Sequence, residues 1–516
     1  MTNRSPKKIL IVTGDCPSHP YACCKLATVL AEYHHDVTLA GPNGISLDRL
    51  KAEMKVYHNS ANSKNKIKVE SIGNVSTVVH CNVRPVINPE EYSPFQIIYN
   101  TIFNRSYNPF GIAELFEQVM DDQIGTYDNL KRMIPNYDLV YAVHSCAATV
   151  CDAAESLQQE DPTLSVPPCV VFSSLPYESS FIYNGLWNKP RSLVALPHVA
   201  TYSWPKNALK SSKGFVRGIF AYLVQLFWMW LDTYHTERAW KRAGKRNDVR
   251  RAERGLLPVF EGNRYYWKAY PVLSLGGFHP YMVDGDIIAD NATVVGSIRS
   301  TETSDLKRLN DWLIRTRVDK VVYASFGTGT QLSEEEVANL AKLALSLKDT
   351  RYSLLLSLQK SEKERLRHVF DRILGPVDRL GSGFCEYLSG KFRIDDNVPQ
   401  ENLLLSKKVD LFISHLGFGG FIEGVNGGVP FICYPSGCDQ WFNVERVVDA
   451  GIGVKAKPQM KDLDETVFDA LGNASLKHKS YELATKAAAF DSTKIILDMA
   501  DDLCDGATES SDADSL

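Results

Sequence analysis

Polar side chains suited to nucleotide binding follow two apolar segments in the C-terminal half of the chain. The apolar residues between 409 and 413 predict a buried strand that stops at His415, and residues 429–434 predict a second strand, which Asp439 and Gln440 follow. Ligands of an open parallel sheet bind outside the carboxyl ends of its strands. We therefore expect these polar groups to line one crevice.

The turn after the first of these strands is rich in glycine. It contains Gly417, Gly419 and Gly420, and a short apolar-faced helix that carries Glu423 follows it. Glycine lets backbone N–H groups approach a ligand closely, and a helix N-terminus adds partial positive charge. Such turns also need glycine for geometry alone, so the polar groups beside the turn carry the functional interpretation. Together these residues predict a βαβ unit that binds phosphate.

The segment from Asn397 to Gln440 resembles the donor-binding signature of the UDP-dependent glycosyltransferases of the inverting GT-B class. The matching positions keep the family's spacing without a gap: Pro399, Gln400, His415, Gly417, Phe418, Glu423, Gly428, Val429, Pro430, Asp439 and Gln440. The resemblance implies an α/β GT-B fold, in which two Rossmann-like parallel-sheet domains face an interdomain cleft.

The resemblance also implies how a UDP-sugar is held. His415 contacts the diphosphate with the N–H of Gly420 beside it, and Glu423 holds the ribose hydroxyls. A carboxylate accepts two hydrogen bonds from a vicinal diol, whereas a diphosphate needs donors and a helix dipole. The other implied donor-binding residues are Gly417 in the turn, Val398 and Gln400 at the nucleoside, Asp439 and Gln440 at the sugar hydroxyls, and Thr328 at the phosphates.

The sequence departs from the family's pattern at the base and at the turn. Asn397 stands where the family usually has a Trp that stacks on uracil, and Gly419 and Gly420 replace an Asn/Ser pair. Stacking on uracil must then come from elsewhere, with Phe392 as the candidate, or the base preference is looser.

The N-terminal half opens with a strand at residues 9–12, a loop that contains His19, a helix predicted over 21–33 and a second strand at 37–40. This opening resembles the family's N-terminal domain, in which the histidine of the first loop is the general base. The resemblance implies that His19 takes a proton from an acceptor hydroxyl. The alternative is a loop histidine that caps the following helix.

In the family an aspartate at the end of a later strand orients that histidine, as a buried carboxylate orients an imidazole in hydrolases. When residues 138–140 are aligned on the family's Asp-Leu-Val, the carboxylate position falls on Val143, and His144 comes next. We expect His144 to be the partner of His19. The alternatives are a His19 that works without a partner, or a carboxylate from Asp121, Asp122 or Asp152.

A chain of 516 residues is too long for one hydrophobic core and suits two domains. The predicted division is an acceptor-binding domain at 1–285, a UDP-sugar-binding domain at 286–480, a helix at 481–505 that returns to the N-terminal domain, and a disordered Ser/Asp-rich tail at 506–516.

The composition is ordinary for a globular protein, with 44% hydrophobic and 23% charged residues. The net charge of −4 argues against a nucleic-acid binder. Eleven cysteines lack the paired spacing of a zinc site and indicate reduced thiols. The short polar start leads directly into a strand, and the sequence contains no uninterrupted apolar run of membrane-spanning length, so we expect a cytoplasmic protein.

An Asp-Gly-Asp sequence at 284–286 matches a metal-binding motif of another glycosyltransferase class, but it falls in the predicted linker and is interpreted as chance. The resemblance to GT-B enzymes implies no metal and no further cofactor, because in those enzymes a helix N-terminus and a histidine neutralise the leaving diphosphate.

Residues 215–231 are apolar and aromatic, and a basic patch follows them up to Arg254. An apolar helix followed by a cationic one suits peripheral contact with a membrane. The alternative is a helix over the acceptor cleft with a solvated cationic face. In either case the aromatic content favours a hydrophobic acceptor.

These patterns together predict an enzyme that transfers glucose from UDP-glucose, with inversion, to a hydroxyl of a hydrophobic small molecule or lipid. Gln440 favours glucose through the resemblance alone. Two alternatives remain: a non-catalytic scaffold that binds nucleotide sugars, and a GT-B UDP-sugar 2-epimerase that needs no acceptor.

Overall fold

The structure is a computed structural model that describes residues 5–14, 19–59, 67–74, 124–173, 242, 244–259, 266, 269–275, 291–296, 298, 306–317, 320–327, 330–396, 398–436 and 440–513. Within these residues the chain forms two β-sheets with helices packed against both.

The first sheet has seven parallel strands within the described residues, in the spatial order β3-β2-β1-β4-β5-β6-β7. The central strands are fully buried because helices cover both faces, which explains their uninterrupted apolar sequences. In chain order the strands are β1 (Lys8–Val12), β2 (Asp36–Gly41), β3 (Lys68–Ser71), β4 (Leu139–Val143), β5 (Cys169–Ser173), β6 (Val272–Ser274) and β7 (Ala292–Val294).

The helices of the first domain are α1 (His19–Glu32), α2 (Ile45–Asn59), α3 (Tyr127–Met133) and α4 (Ala147–Glu160), and a further helical segment covers 244–253. Helix α1 was predicted to begin at residue 21. It begins at His19 instead, so the predicted base lies in the first turn of a helix, where Pro20 is also tolerated.

Part of the basic patch faces inward. Arg251 is 1% exposed and binds the carboxylates of Asp152 and Glu155, while Arg254 binds Asp152 and stacks on the Tyr127 ring. These two arginines are therefore not part of a solvated or membrane-facing surface. Most of the remaining segment predicted to touch a membrane lies outside the described residues.

The second sheet has eight strands within the described residues, in the order β10-β11-β12-β9-β8-β13-β14-β15. All neighbours are parallel except at one edge, where β10, β11 and β12 pair antiparallel. The strands are β8 (Lys320–Ser325), β9 (Tyr352–Ser357), β10 (Arg379–Gly381), β11 (Phe384–Tyr387), β12 (Phe392–Asp395), β13 (Val409–Ser414), β14 (Phe431–Cys433) and β15 (Gly453–Lys455).

The helices of the second half cover both faces of this sheet. Helix α6 begins with a capping box, in which the side chains of Ser333 and Glu336 each bind the other residue's backbone N–H. In chain order the helices are α5 (Lys307–Thr316), α6 (Glu334–Leu347), α7 (Lys360–Leu374), α8 (Gln400–Leu405), α9 (Phe418–Gly427), α10 (Gln440–Asp449), α11 (Leu463–Gly472), α12 (Ala474–Ala489) and α13 (Ser492–Ala513).

The chain returns to the first domain at its C-terminal end. Ile496, Leu497 and Ala500 of α13 are buried in the same hydrophobic core as β1 and β4. The sequence predicts one helix over 481–505, whereas the structure has two, because the Asp491 carboxylate accepts a hydrogen bond from the Lys494 N–H at 2.9 Å and starts a new helix. The sequence also predicts disorder from residue 506, whereas α13 continues to Ala513.

No helix within the described ranges combines the length and the apolar character needed to cross a bilayer.

Candidate active site

The first half of the site lies where the strand order of the first sheet reverses. Strands β1 and β4 are hydrogen-bonded neighbours, and the chain leaves them on opposite sides, toward β2 and β5. Such a switch point leaves a crevice at the carboxyl ends of the two strands. His19 follows β1, and His144 and Ser145 follow β4, so the topology brings all three together.

His19 is buried and hydrogen-bonded within this crevice. Its Nδ1 lies 3.2 Å from Ser145 Oγ, and the two side chains are 8% and 6% exposed. The ring of His144 packs edge-on against the His19 ring, with the ring centroids 4.6 Å apart. The sequence predicts His144 as the partner of His19, but the hydrogen bond comes from the neighbouring residue, Ser145.

Of the three carboxylates that are alternatives to His144 as partner of His19, the structure describes one, Asp152. Asp152 is fully buried and binds Arg251, Arg254 and the Tyr266 hydroxyl, which makes it part of an ion-pair cluster in the core. Burial raises the pKa of Asp152, while Tyr266 and the two arginines partly offset this effect. Asp121 and Asp122 lie outside the described residues.

The second half of the site lies at the matching switch point of the second sheet, between β8 and β13. Gly327 follows β8, and His415 and Gly417 follow β13. A Cβ atom added at Gly327 would lie 2.6 Å from His415 Nε2, and one at Gly417 would lie 2.5 Å from the same atom. The imidazole therefore fills a space that exists only because both neighbours are glycine.

Burial lowers the pKa of His415 to about 4, and a backbone hydrogen bond with Ser325 offsets part of that shift. The ring is consequently neutral at physiological pH. A neutral imidazole carries one N–H and acts as a hydrogen-bond donor without adding a full charge to the site.

The N-terminus of α9 opens toward this histidine. Gly417 is its N-cap and supplies no side chain, so no side-chain hydrogen bond caps the helix. The first N–H groups of a helix lack intrahelical partners and attract anions. A Cβ atom at Gly419 would meet nothing within 4 Å, so there is open space at this end of the helix.

Glu423 lies one turn into α9 and is 4% exposed. Its Oε2 accepts a hydrogen bond of 2.7 Å from Gln400 Nε2, and Gln400 Oε1 in turn accepts one of 2.9 Å from the Tyr323 hydroxyl. Burial raises the pKa of Glu423, and the charge of Lys25 partly offsets this effect. The structure thus joins two of the predicted donor-binding residues, Gln400 and Glu423, directly.

Helix α1 contacts this carboxylate from the other domain. Lys25 Nζ lies 3.0 Å from Glu401 and 3.9 Å from Glu423, and the Tyr21 hydroxyl donates a hydrogen bond of 3.1 Å to Glu401. Phe418 packs against the hydrophobic cores of both domains. The helix that begins with His19 therefore lies against the residues around Glu423.

Comparison with known proteins finds a family that the second half of the chain resembles. A model of the family described as "UDP-glucoronosyl and UDP-glucosyl transferase" matches residues 283–485. The C-terminal part of the chain is therefore similar to the UDP-glycosyltransferase family.

Curated plant UDP-glycosyltransferases match part of the chain. Anthocyanidin 3-O-glucosyltransferase of Solanum melongena is 31% identical over 161 residues, which cover 31% of this chain and 33% of that protein. Mogroside I-E synthase of Siraitia grosvenorii is 28% identical over 200 residues, or 37% of this chain and 40% of that protein. The matches thus span two fifths or less of these two relatives' length.

Solved structures cover nearly the whole chain. The glycotransferase of kitacinnamycin aligns with 97% of this chain and 100% of its own, with a TM-score of 0.58 and 16% identity. A calicheamicin glycosyltransferase aligns with 97% of this chain at a TM-score of 0.54 and 13% identity. These neighbours confirm the predicted GT-B fold of two Rossmann-like domains.

Three of the remaining predicted donor-binding residues, Gln440, Val398 and Gly420, lie within the described ranges. Gln440 Oε1 accepts hydrogen bonds from the Ser436 N–H and hydroxyl at 2.7 and 3.0 Å. Val398 packs at the edge of the second domain's core, and a Cβ atom at Gly420 would lie 3.2 Å from Gln400 Nε2. Thr328, Asn397 and Asp439 lie outside the described residues.

The candidate for uracil stacking is not accessible. Phe392 is fully buried and packs against the rings of Phe370 and Tyr387, with ring centroids 5.5 and 5.9 Å away. Its ring cannot reach a base in the cleft without dismantling that cluster, so the suggestion that it replaces the family's Trp is wrong.

The sequence missed three residues that the structure places at the site: Ser145, Lys25 and Tyr21. The spacing of Tyr21 and Lys25 is one available signal, because residues four apart share a helix face. Ser145 had a weaker signal: it is the hydroxyl residue next to His144, two positions after the expected carboxylate.

Proposed function

We propose that this chain is a UDP-sugar-dependent glycosyltransferase that transfers glucose, with inversion, to a hydroxyl of a hydrophobic acceptor. One observation carries the proposal: a single helix, α1, starts with His19 and contacts the predicted ribose-binding region through Tyr21 and Lys25. Lys25 is six residues beyond His19, about 9 Å along the helix axis. This distance suits a base that works next to a bound nucleotide sugar.

In the proposed reaction His19 Nε2 removes the proton from the acceptor hydroxyl. The acceptor oxygen then forms a bond to the anomeric carbon from the face opposite UDP, while the bond from that carbon to the diphosphate oxygen breaks. UDP leaves with the bonding electron pair, and the configuration at the anomeric carbon inverts. A general base of this kind contributes roughly 10²- to 10⁴-fold to the rate.

The leaving diphosphate gains negative charge as this bond breaks. We assign its stabilisation to the uncapped N–H groups of α9, beside which His415 lies. Glu423 accepts hydrogen bonds from the ribose diol once the diol replaces its present partners. This arrangement needs no metal ion, so we expect a chelator to leave turnover unchanged.

The test is UDP release from UDP-glucose with a panel of hydrophobic hydroxyl compounds, with the products identified by mass spectrometry and the anomeric configuration determined by NMR. We expect UDP release only in the presence of an acceptor, and its loss in His19→Ala. His478→Ala is the matched control, since His478 is exposed on α12. Donor binding without turnover would support a scaffold instead, and an epimerised UDP-sugar formed without an acceptor would support an epimerase.

A further inference from the structure

We propose that Ser145 is the residue that positions His19, in the role that an aspartate has in the family. The inference rests on the proposed function for its chemistry and on the hydrogen bond between Ser145 Oγ and His19 Nδ1 for its geometry. A chain that uses a neutral hydroxyl here holds its base in place without a paired negative charge.

Two other positions that could have supplied a partner for His19 are less suited to the role. Val143 occupies the expected carboxylate position, and its side chain is apolar and fully buried. Asp152 is bound to Arg251 and Tyr266 in the core. Within the described residues, the His19 ring is hydrogen-bonded to the Ser145 hydroxyl.

The local backbone holds Ser145 rigidly. Strand β4 ends at Val143, and the Cys146 N–H donates a hydrogen bond of 2.8 Å to the Val143 carbonyl, which closes a tight turn around Ser145. The Cys146 side chain lies against the Val12 carbonyl at the end of β1. The turn that carries Ser145 is therefore anchored to the strand that precedes His19.

In the proposed state, Nδ1–H of His19 donates to Ser145 Oγ, which makes Nε2 the base. When Nδ1–H donates to Ser145 Oγ, the lone pair lies on Nε2, which is then free to accept the acceptor's proton. Without the hydroxyl the ring can rotate and change tautomer, so fewer molecules present the base correctly. We therefore expect the loss to fall on kcat rather than on the KM for UDP-glucose.

A hydroxyl and a carboxylate differ in their effect on the protonated ring. A carboxylate stabilises an imidazolium by charge, whereas a hydroxyl orients the ring with a weaker, neutral interaction. Ser145→Asp should therefore move the acid limb of the pH profile of kcat to higher pH, by roughly one unit.

The experiment compares Ser145→Ala, Ser145→Thr and Ser145→Asp with His19→Ala, using UDP-glucose and an accepted acceptor. Thr149→Ala is the control, because Thr149 is another buried hydroxyl residue on the adjoining helix α4. We expect Ser145→Ala to lower kcat roughly tenfold to a hundredfold with the KM for UDP-glucose unchanged. We expect Ser145→Thr to keep most of the activity.

Nitrogen-15 NMR of the histidine rings gives a readout that does not depend on turnover. We expect His19 to carry its proton on Nδ1 in the unmodified protein and to show a tautomer mixture in Ser145→Ala. Normal kcat and an unchanged tautomer in Ser145→Ala, with His19→Ala inactive, would overturn the role of Ser145 and leave the proposed function standing. An unmodified protein that shows the Nδ1–H tautomer without any turnover would overturn the proposed function alone.

Discussion

Lys25 in the first domain lies 3.9 Å from Glu423 in the second, so a cation of one domain faces the carboxylate that we expect to bind ribose. The same amine lies 3.0 Å from Glu401. Both carboxylates are nearly buried, with side chains 5% exposed, and Lys25 is 12% exposed. The positive charge of Lys25 therefore offsets the repulsion between these two carboxylates while the cleft is closed.

Replacing Lys25 by Met should weaken UDP binding and make it more sensitive to low pH. The pKa of Glu423 is already raised by burial, and removal of the offsetting charge raises it further, so less carboxylate is available for the ribose diol. Calorimetric titration with UDP between pH 5 and pH 8 measures the effect. Lys55→Met, on the exposed face of α2, is the control and should bind UDP normally.

The same substitution should lower the free energy of unfolding by roughly 3 kcal/mol, because it leaves buried carboxylates without their partner. Adding Glu401→Gln to Lys25→Met should recover part of this loss, as it removes one of the unpaired charges. Equal stability of the single and double variants in urea denaturation would contradict a charge-based role for Lys25.

Gly327→Ala should abolish UDP binding. A Cβ atom at this position would lie 2.6 Å from His415 Nε2, and the backbone φ of +70° adds a cost of about 1–2 kcal/mol for any L side chain. Gly472→Ala is the matched change, since it meets open space and replaces a helical glycine outside the predicted site. We expect Gly472→Ala to retain UDP binding, measured by calorimetry, and a similar loss in both variants would refute the packing argument around His415.

His415 should make the protein less stable as the pH falls from about 6.5 to about 4. The folded state keeps the ring neutral down to a pKa of about 4, whereas the unfolded chain binds a proton at the ordinary value of 6.5. Across this window the free energy of unfolding should fall by about 1–3 kcal/mol. The range allows for screening by solvent, because His415 is only partly buried.

Urea denaturation at several pH values, for the unmodified protein and for His415→Gln, isolates this contribution from that of other titrating groups. As the pH falls from about 6.5 to about 4, the unmodified protein should lose more unfolding free energy than His415→Gln does. A constant difference would mean that His415 has an ordinary pKa.

Asp152→Asn should destabilise the protein without changing the pH profile of turnover. Asp152 binds Arg251 and Arg254, and weakening this buried cluster costs roughly 3 kcal/mol. Thermal unfolding and the acid limb of kcat measure the two effects separately. A displaced acid limb would restore Asp152 as a partner of the base.

The sequence predicts those structural features that depend only on residues close together in the chain. The strands at 9–12 and 409–414 were predicted because a buried parallel strand needs a continuous apolar run, which is visible in the residues themselves. The glycines around His415 carry a similarly local signal. The GT-B fold followed from these elements and from the family resemblance.

The contacts that depend on three-dimensional packing were not predictable in the same way. The choice between His144 and Ser145 rests on which side chain the turn after β4 directs at His19, and the two are adjacent in sequence. The contact between Lys25 and Glu423 joins residues nearly 400 positions apart in different domains. The antiparallel edge of β10, β11 and β12 likewise depends on pairing between strands rather than on the pattern within any one of them.

The return of α13 to the first sheet restricts how the cleft can open. The polypeptide crosses from one domain to the other before β8 and crosses back before α13, so two connections join the lobes. A body held at two points swings about the line between them and resists twisting and separation. If the proposed reaction is correct, substrate entry and UDP release should proceed by a rocking motion about that axis, and His19 should return to the same position after every turnover.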